Sequence, residues 1–257
     1  AAQSVYIPVA VLDILPQLDP TQRYAMTALP DQAAALRRFQ QSGHAAAQQI
    51  RYVLGPYVGT ALYPAAIQCY LRMQRVARDD RITSLQWRAG EWPGHLEIRM
   101  ASGRVFQSPK FYYNFLIPFF VTQASLQGMD FTNEFADLSA GDAWSPRFEA
   151  RGGGYSVAIS RTEAMESILQ AMIEEGLLMM TTEDPGQAAE MHGHMLDFKK
   201  RGSYLRNRLR RACGRKAPRY GLRPDPLPWG RWLVELLMAC VFLCTRNPVS
   251  RKILEFI

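Results

Sequence analysis

Cysteine is scarce in this chain and poorly spaced for chemistry. Of 257 residues only Cys69, Cys213, Cys240 and Cys244 are cysteines, and no two stand at C-x-x-C spacing. That excludes the usual zinc, dithiol and ferredoxin-like patterns. A scattered set in a chain of this length reads as reduced, cytosolic thiols rather than a disulfide framework. No G-x-S-x-G, Walker or Rossmann glycine pattern is present. Long apolar runs are missing too. The stretch Leu233 to Cys244 is apolar except for Glu235, and it falls short of the about 20 residues that span a bilayer. The first residues carry neither the basic start nor the apolar centre of a secretory signal. The chain opens on Ala1 rather than Met, as a processed or excised form would. No internal repeat appears.

Acids are absent from one region. Residues 198–224 hold eleven Lys and Arg and no Asp or Glu, so a net charge of +7 hides a body that nets −4. What is present otherwise is ordinary. Hydrophobic residues make up 48% and charged residues 21%, which excludes general disorder and allows a real core.

The order of local patterns predicts an α/β fold, a mixed sheet with flanking helices. The first thirty residues read as extended, with a strand over 24–29. Asp31 is placed to cap a helix running to Gln41, Arg51 to Leu54 reads as a strand, and a helix is expected over 61–78. Residues 82–87, 95–100 and 104–107 alternate with period two, and Ala101-Ser102-Gly103 turns between the last two. A strand over 155–160 leads to Thr162 as N-cap of a helix. Its Met165, Ile168, Leu169, Met172 and Ile173 recur at helical spacing. Leu177 to Thr181 reads as a return strand. From about Asp197 the composition turns basic, then Pro-rich, then apolar. This divides the chain into a body, 1–196, and an appended C-terminal extension, 197–257, standing apart from the core.

The densest polar block is Asp130 to Trp144, with four acids, one amide and one glycine around a short apolar stretch. Such residues satisfy backbone N–H groups in turns, or they hydrogen-bond a polar ligand in a pocket. Arg151-Gly152-Gly153-Gly154-Tyr155-Ser156 either cradles a phosphate with its N–H groups or forms a flexible turn before a strand. Gly153, Gly154 and Ser156 are therefore candidate cofactor-binding residues. His192-Gly193-His194 has no Cys or carboxylate partner in sequence, which makes it a poor metal set and reads as an exposed loop at a helix end.

The run from Asp130 through Phe131-Thr132-Asn133-Glu134-Phe135-Ala136-Asp137-Leu138-Ser139-Ala140-Gly141 to Asp142 carries a resemblance. It resembles the C-terminal-domain signature of the coenzyme F-420 (deazaflavin) hydrogenase/dehydrogenase beta-subunit family. That family also includes hydroxymethyl chlorophyll a reductase and a ferredoxin-dependent vinyl reductase of chlorophyll synthesis. Ala28-Leu29-Pro30, the stretch Trp87 to Gly94, Gly154 to Val157 before Arg161-Thr162, and Asp197 to Gly202 agree in order, so the resemblance runs from about Tyr6 to the C-terminus. It implies a flavin-linked oxidoreductase subunit in electron or hydride transfer, with FAD as cofactor and a partner subunit of a redox complex. Asp130, Asn133, Asp137, Gly141 and Asp142 would line the cofactor or substrate pocket; no catalytic residue is assigned. The family's N-terminal portion, with a Ser-Gly-Gly-type element associated with flavin or substrate, is missing by this alignment.

Where the family carries cluster cysteines this chain has Asp31, Ser125 and Gly128, and a further expected Cys falls near Tyr57 and Val58. Gly offers no side-chain ligand, and Ser, Tyr and Asp suit a soft metal site poorly. No iron–sulfur cluster or other metal is expected. The second reading is therefore a non-catalytic structural or assembly subunit of a membrane-associated complex. The basic run beside a Trp-bordered apolar stretch suits an anionic membrane surface contacted through 198–257. The other readings are a helix docked on the protein's own core, with Leu233, Leu236, Leu237 and Val241 inward, or a nucleic-acid contact. No nucleic-acid reader motif supports the last. A cytoplasmic protein, peripheral on the membrane, is the expectation.

Overall fold

The computed structural model describes residues 9–109 and 112–254. The first sheet is built from β1 (Tyr24–Thr27), which passes through helix α1 (Pro30–Gln41) to β2 (Ile50–Pro56). Helix α2 (Ala65–Met73) follows. A second sheet then forms from β3 (Ile82–Ala89), β4 (His95–Met100) and β5 (Val105–Pro109), before the chain returns as β6 (Leu138–Asp142) and β7 (Ser156–Ser160). The first sheet has the order β1-β2-β6-β7 and the second is the meander β3-β4-β5. β1, β2 and β6 are mutually parallel, while β7 runs antiparallel to β6 with Asp142 opposite Ser156. The α/β architecture with a mixed sheet is thus observed.

Two cores result. Met26, Ile50 and Val53 of the first sheet pack against Ala33 and Leu36 of α1. The second core places Ile67, Cys69 and Tyr70 of α2 against Trp87 of β3 and Leu96, Ile98 and Met100 of β4. The last three are alternate residues of one strand, so they share a face. Glu97, between them, is also buried, and its carboxylate accepts from Arg99 and Gln107.

After β7 come α3 (Glu163–Glu174), α4 (Ser203–Ala212), α5 (Trp229–Thr245) and α6 (Pro248–Leu254). Thr162 caps α3 as expected, its hydroxyl accepting from the Met165 N–H at 3.3 Å. Met165 and Leu169, one turn apart, are the buried pair of that helix.

Several local expectations need correction. Residues 1–8 lie outside the described residues, but Val11–Gln17 is a 3₁₀ helix with Leu15 buried, not extended chain. Asp31 is not the cap of α1. Pro30, whose missing N–H costs nothing there, opens the helix, and Gln32 Oε1 accepts from the Leu29 N–H at 2.9 Å. α2 starts only at Ala65, after Pro64. Leu177 to Thr181 forms no strand; no strand pairs with it, and Leu177 and Met179 point to solvent.

The C-terminal segment does not stand apart from the core. Phe242 of α5 and Leu254 of α6 belong to the second core. Four polar side chains fasten its start to residues 125–128. Lys199 Nζ donates to Ser125 O at 3.0 Å, Arg206 Nε to Leu126 O at 2.8 Å, Asn207 Nδ2 to Gln127 O at 2.8 Å and Ser203 Oγ to Gly128 O at 2.9 Å. Two of the segment's cations, Lys199 and Arg206, are therefore spent inside the protein.

Candidate cofactor site at the carboxyl edge of the parallel strands

Because β1, β2 and β6 are parallel, their carboxyl ends share one edge, the edge at which open α/β sheets bind ligands. The block Asp130 to Ala136 lies across it. Asn133, fully buried and with φ +59°, donates from Nδ2 to Ala28 O at 2.7 Å, just past β1, and to Pro56 O at 3.4 Å, at the end of β2. An amide side chain tolerates that left-handed backbone better than most. Tyr57, the next residue after β2, packs its ring 5.4 Å from Phe131 and 5.4 Å from His192, and Phe131 and His192 are 5.1 Å apart. The three rings form one aromatic group above the edge.

Gly141 makes this packing possible. A Cβ there would lie 2.5 Å from the Tyr57 ring. Asp130 Oδ2 accepts from the Glu134 N–H at 2.8 Å. Three buried polar atoms nevertheless have no well-aligned hydrogen-bond partner among the described residues: Asp130 Oδ1, Asn133 Oδ1 and His192 Nε2, although the Asn133 main chain acts on the Asp130 carboxyl and the Asp142 main chain on the His192 ring. The surroundings disfavour charge throughout. Burial pushes the Asp130 carboxyl up and pulls the His192 imidazole down, and it raises the Tyr57 phenol against the opposing pull of Arg161. His192 is only 5% exposed, so the expected exposed loop is corrected here. The residue preceding Gly193 starts a short helix and turns its ring inward.

A second group adjoins the first. Asp142, at the end of β6, pairs with Arg88 at 3.2 Å, both side chains about a third exposed. Trp92 and Trp144 stack with centroids 4.9 Å apart. Gly154 sits under Trp92 at φ +76°, and a Cβ there would approach the indole to 2.9 Å. Gly152 and Gly153 are also left-handed and exposed, and Ser156 is exposed beside them. The structure thus brings Asp130, Asn133, Gly141, Asp142, Gly153, Gly154 and Ser156 to one edge.

Asp137 is elsewhere. It lies before β6, at the strand's other end, where its Oδ2 accepts from the Val53 N–H at 2.7 Å and from Arg37 Nη2 at 2.9 Å. It ties α1 and β2 to β6. A shallow pocket of about 360 Å³ lined by Arg37, Glu134 and Arg161 opens beside it.

The positions expected to carry cluster thiols do not fit an iron–sulfur group. Ser125 Oγ is buried, accepting from the Ala61 N–H and bonding the Thr122 hydroxyl, both at 2.8 Å. Asp31 is exposed in the first turn of α1, and Gly128 has no side chain. Among the described residues no three His, Cys, Asp or Glu side chains are grouped to hold a metal ion. A polar, planar cofactor fits better, since the edge offers unsatisfied polar atoms, aromatic rings and glycine backbone together. Tyr57, Phe131, His192, Arg88, Trp92 and Trp144 were not singled out for a site by sequence. The stretch Trp87 to Gly94 entered only through the resemblance.

The family model for the carboxyl-terminal part of the coenzyme F420 hydrogenase/dehydrogenase beta subunit matches residues 21–186. Among solved structures the chain is similar to one from the F420-reducing NiFe hydrogenase complex of Methanosarcina barkeri, studied by xenon derivatization. The TM-score is 0.59 at 13% identity, over 86% of this chain and 75% of that one, so the likeness is one of fold. No curated protein matches the sequence.

Proposed function

Since the chain belongs to the coenzyme F420 hydrogenase/dehydrogenase beta-subunit family, we propose that it is a redox subunit binding a flavin of the FAD type at the carboxyl edge of β1, β2 and β6. The observation that carries this reading is the trio of buried, unpartnered polar atoms around the Tyr57–Phe131–His192 rings. A buried polar atom left unpaired costs about 1–3 kcal/mol, and the polar edge of a flavin ring supplies both donors and acceptors. Gly153 and Gly154 offer main-chain N–H groups to a diphosphate, the Gly152 N–H being taken by Glu149 O at 3.2 Å. The flavin would supply one- and two-electron redox chemistry; the chain would orient it and keep water from its ring.

Titration of the purified chain with FAD, followed by flavin fluorescence, tests this. Saturable binding is expected, weakened about threefold to tenfold in His192→Phe, which keeps the ring and removes one hydrogen bond. No binding, or equal binding by the variant, overturns it.

A second reading, a non-catalytic subunit that kept the fold, is favoured by a different observation. Asn133, Asp137 and Gly141 already serve the fold itself, through Ala28 O, the Val53 N–H and the Tyr57 ring. The same titration separates the two. The occurrence of a similar fold in a multi-subunit hydrogenase complex supports a partner subunit under either reading.

A further inference from the structure

Helix α5 turns its apolar side the wrong way for a soluble core. Its seventeen residues include only two charged ones, Arg231 and Glu235. Both lie on the docked side. Glu235, 1% exposed, bonds Arg206 Nη1 at 2.9 Å and Arg231 Nη2 at 2.8 Å, and Arg231 Nε reaches Asp197 at 2.8 Å. Phe242 and Met238 follow Glu235 on that side. The opposite face carries Trp229, 87% exposed, then Leu233, Leu236, Leu237 and Val241, all exposed, with Leu237 at 67%. At 100° per residue these positions span about 140° of the circumference without one charge.

One acid, the exposed Asp225, stands between this face and the basic run that precedes it. Seven Lys and Arg and no acid occupy residues 208–223, which lead into α5, and Arg208 holds its guanidinium over the Trp232 ring at 5.5 Å. Arg215, Lys216, Arg219 and Arg223 are exposed, as is Lys252 beyond the far end of α5. An apolar strip with basic residues before and after it in the chain, and with Trp at its margin, is complementary to headgroups above and acyl chains below.

We propose that the outward face of α5 docks this protein in the plane of an anionic lipid surface. The helix lies on the bilayer rather than crossing it. Seventeen residues rise about 26 Å, short of the about 30 Å hydrocarbon core. α5 and α6 meet at a 78° bend, and among the described residues no single helix is long and apolar enough to span. In a free amphipathic helix the polar face is its own; here Glu235 and Arg231 spend that face on fastening the helix to the body.

Co-sedimentation of the full chain with vesicles decides it, using phosphatidylcholine alone and phosphatidylcholine with phosphatidylglycerol. Pelleting is expected with the anionic vesicles only. It should fall as salt rises from about 0.1 M to about 1 M, where the Debye length shrinks from about 10 Å to about 3 Å. Leu233→Glu with Leu237→Glu should lower the vesicle-bound fraction at least about tenfold while the circular dichroism and thermal midpoint stay unchanged. Trp229→Ser, at the helix end, gives a milder loss and serves if the double variant fails to fold. Equal pelleting with neutral vesicles, or full binding by the variants, overturns the proposal. So does a wild-type dimer that ignores vesicles and that the same substitutions split, because a second copy then covers the face.

Discussion

The carboxyl-edge loop, Asp130 to Ala136, and helix α5 break the usual partition of polar and apolar atoms in opposite directions. The loop hides polar atoms without partners, whereas the helix shows apolar side chains to solvent. Neither arrangement is favourable in isolation, since unpaired buried polar atoms and contiguous exposed apolar surface both carry a free-energy cost. What differs is how each is held. The loop is fixed by short-range bonds to strand ends, such as Asn133 to Ala28. The helix is fixed by one buried charge group beneath it. If both departures await something from outside the chain, a small ligand completes the first and a surface covers the second. The two should then respond independently to mutation.

The largest effect is expected where the helix is fastened. Glu235→Ala leaves Arg206 and Arg231 facing each other in a buried site with no carboxylate between them. Removing one partner of a buried ionic group costs about 3–5 kcal/mol. Urea denaturation should show that loss, whereas FAD binding at the far edge should persist under conditions where the variant is folded. A loss below about 1 kcal/mol would mean that the charge group does not fasten α5.

Next in size is a pH effect in the turn that precedes α4. Lys199 is 3% exposed in a π-helical turn, Phe198–Gly202. Burial, helped by Arg206, depresses its ammonium to about 8, against the weaker opposing pull of Asp130 and Asp31. Between pH 8 and 10.5 the unfolded chain holds a proton that the folded chain has released. Stability must therefore rise with pH through this window and level off above it, by up to about 3 kcal/mol. Lys199→Met removes the titration, so the difference between wild type and variant should trace the window. Parallel curves for the two proteins would show that Lys199 is solvated in the folded state.

Much of the fold was legible, because it rests on periodicity. The alternation of Leu96, Ile98 and Met100 and the helical spacing of Met165 and Leu169 each found their burial. Leu177 to Thr181 failed for the complementary reason: an apolar run specifies a strand only if a neighbour pairs with it. The extension misled through composition. Lys199 and Arg206 count as surface charge in a sequence, yet main-chain carbonyls of residues 125–128 take them into the interior. Of the candidate site, Asp130, Asn133 and Gly141 were legible through a resemblance. The rings that meet them, from Tyr57 to His192, lie 135 positions apart, and no local pattern announces such a meeting. The outward face of α5 was legible only as one of several open readings, a membrane contact or a docked helix among them. Leu233, Leu236, Leu237 and Val241 are the residues a docked helix would be expected to bury, and Glu235 is buried in their place.

The smallest effect sharpens the comparison between the two aspartates that bracket β6, Asp137 just before it and Asp142 at its end. Asp137→Ala removes an acceptor shared by the Val53 N–H and Arg37. The stranded N–H should cost about 1–3 kcal/mol in denaturation, with flavin affinity little changed, since Asp137 lies at the opposite end of β6 from the aromatic group. Asp142→Ala breaks only a partly exposed pair with Arg88, worth under about 1 kcal/mol. Its effect should appear instead in the FAD titration, because Asp142 stands at the carboxyl edge opposite Ser156 and beside the Gly152 to Gly154 turn. Denaturation and titration run on both variants give two numbers each, and the reading requires them to cross. If Asp142→Ala lowers stability and leaves FAD binding untouched, the aspartate belongs to the scaffold. The site then contracts to Asp130, Asn133 and His192.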